Sequence, residues 1–106
     1  MTNYNKNIIE KTAWEIHYAL MYFSSFKYNI RSARRCEKSK YIYERHEKPK
    51  YLTLAHYDYT MYTRNIKNAY SILGEPYKNK IKEILIKYKY SMYKPTIEYM
   101  IELLEK

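Results

Sequence analysis

Helix-breaking residues are scarce in this chain: Gly74 is the only glycine, and Pro49, Pro76 and Pro95 are the only prolines. A chain punctuated so sparingly can form long helices, and its apolar residues recur at helical spacing. Ile9, Ala13, Ile16, Leu20 and Phe23 step by four, three, four and three, with Ala19 and Phe26 widening the stripe. This predicts a first helix that begins near Asn3 to Asn7, where Thr2 and several Asn offer N-caps, and continues to about Lys38. No Gly or Pro interrupts Ser24 to Lys48, but Lys40 to Tyr51, closed by Pro49, is expected to be a connecting loop or a frayed helix end.

A second helix is predicted from about Thr53 to Leu73, with Ala55, Tyr59, Tyr62, Ile66, Ala69 and Leu73 as its inner face. Gly74 follows as a C-terminal stop, because glycine takes the left-handed conformation without strain. Pro76 then suits the start of a third helix, where a missing N–H costs nothing. Its inner face is Tyr77, Ile81, Ile84, Leu85 and Tyr88. After a break at Tyr90 to Lys94, Pro95 opens a fourth helix with Ile97, Met100, Ile101 and Leu104 inside and Glu98, Glu102 and Glu105 outside. The predicted fold is all-α: residues 1–106 form one domain, a compact bundle of about four helices with a long N-terminal helix.

Charge narrows the function. The chain carries a net +9, and Lys27 to Lys50 supplies +6 of it: Lys27, Arg31, Arg34, Arg35, Lys38, Lys40, Arg45, Lys48 and Lys50 against Glu37, Glu44 and Glu47. On a continuous helix, Lys27, Arg31, Arg34, Arg35 and Lys38 share one face. One or two of them suit the negative end of the helix dipole, and the rest are surplus. Tyr28, Tyr41, Tyr43 and Tyr51 interleave with or follow these cations, and such a pairing can neutralise phosphates and stack on unpaired bases. An A/T-rich genome is the competing account of the sixteen tyrosines.

A second row on the first helix, Trp14, Tyr18, Met21 and Tyr22, is composed of residue types enriched at interface centres. Either the first helix is central and buries both sides, or it lends the spare side to a partner. Burial is the expectation for Trp14, and Tyr18 and Tyr22 are the better interface candidates.

Nothing in the sequence names a reaction. His17, His46 and His56 do not pair at the spacing that brings two imidazoles to one metal, and Cys36 has no C-x-x-C partner, so no metal and no cofactor are expected. Cys36 among arginines is the one thiol with a reason to be activated. His46 beside Arg45 and Lys48 is the nearest approach to an acid–base group around a phosphate. His17 is expected to be a hydrogen-bonded structural histidine. The lone cysteine fits a reducing compartment, the polar start from Met1 to Lys11 is unlike a signal peptide, and no apolar run approaches the roughly 18 residues of a membrane span. A cytoplasmic location without membrane contact is expected.

The apolar–basic run Ile84, Leu85, Ile86, Lys87, Tyr88, within Tyr62 to Leu104, is similar to a feature of small phage late-transcription regulators with a sigma-factor-like DNA-binding end. In those proteins such a run precedes a helix-turn-helix. The present sequence reaches Lys106 directly after its fourth helix, so that recognition helix is expected to be missing, and no residue roles are carried over.

The expected function is that of a non-catalytic protein binding RNA, DNA or a nucleoprotein complex. It would act in the manner of a phage or mobile-element regulator or a stoichiometric inhibitor, for example of a CRISPR nuclease. Lys27, Arg31, Arg34, Arg35, Lys38, Lys40 and Arg45 are the candidate contacts. The alternative is an adaptor or inhibitor that grips an acidic surface of a host protein, with Trp14, Tyr18 and Tyr22 at the partner interface. A metal-independent RNase ranks below both.

Overall fold

In a computed structural model, described for residues 3–106 with side chains from Lys6 onward, the chain is a helical bundle built around one long antiparallel hairpin. The first helix, α1 (Asn3–Glu37), is followed by a single turn, α2 (Ile42–Arg45), and by α3 (Lys48–Leu73). Two shorter helices, α4 (Glu75–Tyr88) and α5 (Ile97–Glu105), complete it. The capping role expected of Thr2 lies outside the described residues. The expected all-α bundle with a long first helix is what forms, and α1 ends at Glu37, one residue from its predicted limit. Drawn out along the hairpin, it measures 59 × 22 × 19 Å with a radius of gyration of 16.9 Å. A rounder domain of about 100 residues would have a radius of about 13 Å.

Gly74 and Pro76, the latter in the first turn of α4, act as predicted, and Pro49 does not. Gly74 has φ +79 and joins α3 to α4 without any intervening loop. Thr96 caps α5, its hydroxyl accepting from the Tyr99 backbone N–H at 3.1 Å. Pro49, however, does not close a loop. It sits in the first turn of α3, which therefore starts at Lys48, five residues before the predicted Thr53.

The helix α1 is central and carries two adjacent stripes. Ile9, Ala13, Ile16, Leu20 and Phe23 share the core with Ile81, Ile84 and Leu85 of α4 and with Met100 and Leu104 of α5. Each fully buried Leu or Ile there contributes about 1.5 to 3 kcal/mol. The seam with α3 runs on the neighbouring stripe: Thr12, Ala19, Asn29, Ala33 and Cys36 are buried, with Glu15, Tyr22 and Phe26 half-buried between them. Their three–four spacing is that of a coiled-coil seam.

Opposite them, α3 buries Ala55, Asp58, Tyr62, Asn65 and Ala69. The predicted inner face was right at Ala55, Tyr62 and Ala69, and Ile66 and Leu73 also pack against the core. Tyr59 is 47% exposed, while Asp58 and Asn65 take the buried positions beside it. Polar pairs cross the seam at two levels. Asn29 Nδ2 donates to Asp58 Oδ2 at 2.8 Å, and Asn65 Nδ2 donates to Glu15 Oε2 at 2.7 Å. Pairs of this kind set the register of two packed helices.

Candidate nucleic-acid interface

The basic face of α1 begins where its cover stops. Continued at the same spacing, the stripe that meets α4 and α5 passes from Phe23 to Lys27, Ile30, Arg34 and Glu37. The C-terminal end of α4 comes up against Phe23 and Lys27: Tyr90 lies edge-on to Phe23 at 5.5 Å, and Lys27 Nζ donates to the Lys89 carbonyl at 3.0 Å. Beyond that contact Arg31, Arg34, Arg35 and Lys38 are all exposed. They span eight residues, Arg31 to Lys38, or about 10 Å along the direction of the helix.

None of these four has a carboxylate within ion-pairing distance among the described residues. Arg31 Nε reaches the Lys27 carbonyl at 3.4 Å, and the Arg35 guanidinium donates to Ser32 Oγ at 3.3 Å. Both contacts steer the side chains and leave the charges uncompensated. Glu37, the acid nearest in sequence, pairs instead with Lys48 at 3.0 Å.

Lys27 needs a different account from the other sequence-derived candidates. It is half-buried, its ammonium occupied by the carbonyl at the end of α4 and lying 5.3 Å from the Tyr90 ring. A cation there answers the negative end of the α4 dipole, so Lys27 serves the fold first. Lys94 does the same work beside it, donating to the Tyr88 carbonyl at 3.0 Å and to that of Ser91. Burial, and secondarily the charge of Lys27, pull the Lys94 ammonium below the ordinary lysine value.

Lys40 and Arg45 are exposed on the α1–α3 connection, with Lys40 Nζ 5.3 Å from the Tyr41 ring. Tyr41 and Tyr43 stack on each other at 5.6 Å and both are exposed. Sequence reasoning missed a basic–aromatic group at the other end of the row, Lys89 and Tyr90, which Tyr93 follows in the chain. Tyr90 and Tyr93 are exposed, and Lys89 Nζ lies 4.5 Å from the Phe23 ring. No local signal could place this group beside Lys27, because the contact joins positions 62 residues apart.

The second candidate surface is also exposed. Trp14 is 40% exposed and Tyr18 44%, their rings 5.7 Å apart, and Met21 is exposed beside them. The expected burial of Trp14 does not occur, because α3 covers the neighbouring stripe and α4 and α5 the one beyond. Tyr22 is half-buried against Tyr57, with ring centroids 6.1 Å apart. The Tyr57 hydroxyl, then burial, then the charges of Tyr57 and Asp58 push the Tyr22 hydroxyl above the ordinary tyrosine value.

The groups considered for chemistry differ in their access to solvent. Cys36 is buried in the α1–α3 seam, which removes the access a nucleophile needs. His46 and His56 are exposed. His17 is half-buried edge-on to Trp14 at 5.6 Å, and its Nδ1 has no hydrogen-bond partner, contrary to the hydrogen-bonded role expected for it. Among the described residues no three His, Cys, Asp or Glu side chains gather as a metal site, and no helix is long and apolar enough to cross a membrane.

No protein-family model matches the chain, and comparisons with curated proteins and with solved structures find no match.

Proposed function

We propose that the protein is a non-catalytic binder of nucleic acid, alone or within a nucleoprotein complex. Arg31, Arg34, Arg35 and Lys38 contact phosphates, and Lys40 and Arg45 extend the site. The observation that carries this reading is the uncovered row itself: three arginines on one face of the last turns of α1 and Lys38 directly after it, none compensated by a carboxylate among the described residues. Such a row follows a phosphate backbone at little conformational cost, and Tyr41, Tyr43 and Tyr90 add ring faces for unpaired bases. Size and charge also suit stoichiometric occupation of a host machine, the manner of phage-borne regulators and of inhibitors of CRISPR nucleases.

Affinity for duplex should fall steeply as salt rises. Replacing Arg31, Arg34 and Arg35 together with Ala should reduce the slope of log K against log salt by about two to three units, the loss of three phosphate contacts. An unchanged slope in the triple variant would remove the row from the site.

The exposed Trp14, Tyr18 and Met21 favour a second reading, in which the partner is a protein. In that case isolated RNA and DNA fail to bind at physiological salt. Trp14→Ala and Tyr18→Ala then release the partner while leaving the circular dichroism spectrum unchanged.

A further inference from the structure

Among the described residues Asp58 is the one buried carboxylate, 6% exposed in a chain with twenty Lys and Arg. None of those cations lies within 4 Å of it among the described residues. Its Oδ2 accepts from Asn29, a single neutral partner for a full charge. A buried carboxylate commonly takes two or three hydrogen bonds or an opposite charge, because removal from water costs several kcal/mol. Asp58 does not face a closed interior. It lines a shallow hollow of about 340 Å³ whose other walls are Tyr18, Met21, Tyr22 and Ser25. Trp14 stands next to this hollow, its ring against that of Tyr18.

We infer that this hollow is a socket for an arginine side chain presented by a partner protein, with the Asp58 carboxylate as its counter-ion. The chemistry matches at each wall. A carboxylate half satisfied by Asn29 has acceptor capacity left for a guanidinium, the cation that loses least on leaving water. Tyr18 and Tyr22 offer ring faces on which a planar cation stacks, and Ser25 offers a further acceptor. The exposed Trp14 and Met21 beside the hollow suit apolar neighbours of that arginine on the partner chain. Among the described residues no Lys or Arg lies within 4 Å of the Asp58 carboxylate, so its charge is left to answer a cation brought from outside. The inference depends on this patch being an interface, and it is independent of the arginine row of α1.

The test is an NMR titration with N-acetyl-arginine methylamide as probe. Its neutral isostere, the citrulline compound, serves as control, and the tripeptide Ac-Leu-Arg-Leu-NH2 as the longer probe. Saturable shifts should appear at the Asn29 side-chain amide and the Tyr18 and Tyr22 rings, and the citrulline compound should bind at least about tenfold more weakly. Asp58→Asn should abolish the response while keeping the Asn29 hydrogen bond, since the substituted amide oxygen still accepts. Should that variant not fold, Tyr18→Ala, a change at an exposed ring, should weaken the arginine probe and narrow its advantage over citrulline. Equal binding of arginine and citrulline compounds, a response that survives in Asp58→Asn, or no saturable shift would overturn the socket. Tighter binding of the tripeptide than of the single residue supports a protein partner. Equal affinity of the two points to a small free guanidinium compound and overturns that assignment. Arg31→Ala/Arg34→Ala/Arg35→Ala should leave every one of these readings unchanged, so failure here and failure of the nucleic-acid site are separable.

Discussion

Asn29 and Asp58 show how much a single side chain decides in this fold. Truncating Asn29 to Ala would leave Asp58 Oδ2 buried without its donor, and the expected cost is about 2 to 3 kcal/mol by urea denaturation. Replacing both residues with Leu should recover most of that loss, because the penalty belongs to the unpaired charge and not to the missing contact. Tyr70 supplies a pH signature. Burial, then the neighbouring Tyr62, raise its hydroxyl above the ordinary value of 10.0. A raised tyrosine contributes stability that is complete below 10.0 and lost as pH rises through the folded value. The melting temperature should therefore fall more gently above pH 10.0 in Tyr70→Phe than in the parent. The exposed arginines were legible in the sequence because surplus charge and helical spacing need no tertiary information. The status of Lys27 was not, since its partner is the Lys89 carbonyl at the far end of the chain.

At the scale of elements, helix ends were read well where one residue has a single structural meaning. Gly74 is such a case: with φ +79 it holds a conformation that other L-residues adopt only under strain. A Cβ there would meet nothing within 4 Å, so Gly74→Ala should cost about 1 kcal/mol through the backbone alone. Thr96→Ala, which removes the α5 cap, should cost about 1 kcal/mol as well, read by thermal melting. Pro49 has two meanings, since proline both ends a helix and opens one, and local sequence does not choose between them. The α3 face was only partly legible for a related reason. Asp58 and Asn65 occupy seam positions, so a search for apolar periodicity slides to Tyr59 and Ile66 one residue on.

Across the whole molecule the hairpin has two unlike halves. Near the α4 and α5 ends the seam is backed by Ile16, Leu20, Ile81 and Met100, all fully buried. Past Lys27 it is made of Asn29, Ser32, Ala33, Cys36, Ala55 and Asp58, small or polar residues with little apolar area to bury. The distal half, roughly 28–56, should open more readily, so native-state hydrogen exchange there should run well ahead of that in 9–23 and 62–85. Equal protection along α1 would mean that the polar pairs hold the tip as firmly as the core holds the base. Mobility at the tip would let Tyr41, Tyr43 and Lys40, together with the neighbouring arginines of α1, adapt to a ligand.

Local periodicity, capping residues and charge determined the helical class, the number and approximate limits of the long helices, and the row of cations on α1, because each is a property of residues close together in the chain. Tertiary structure alone decided which stripe of α1 meets which neighbour, that Lys27 is spent on the end of α4, and that Asp58 lies buried beside aromatic rings without a cation. Those outcomes depend on pairings between residues far apart in sequence, where polar side chains at packed positions erase the apolar signal and only the assembled helices show what each face covers.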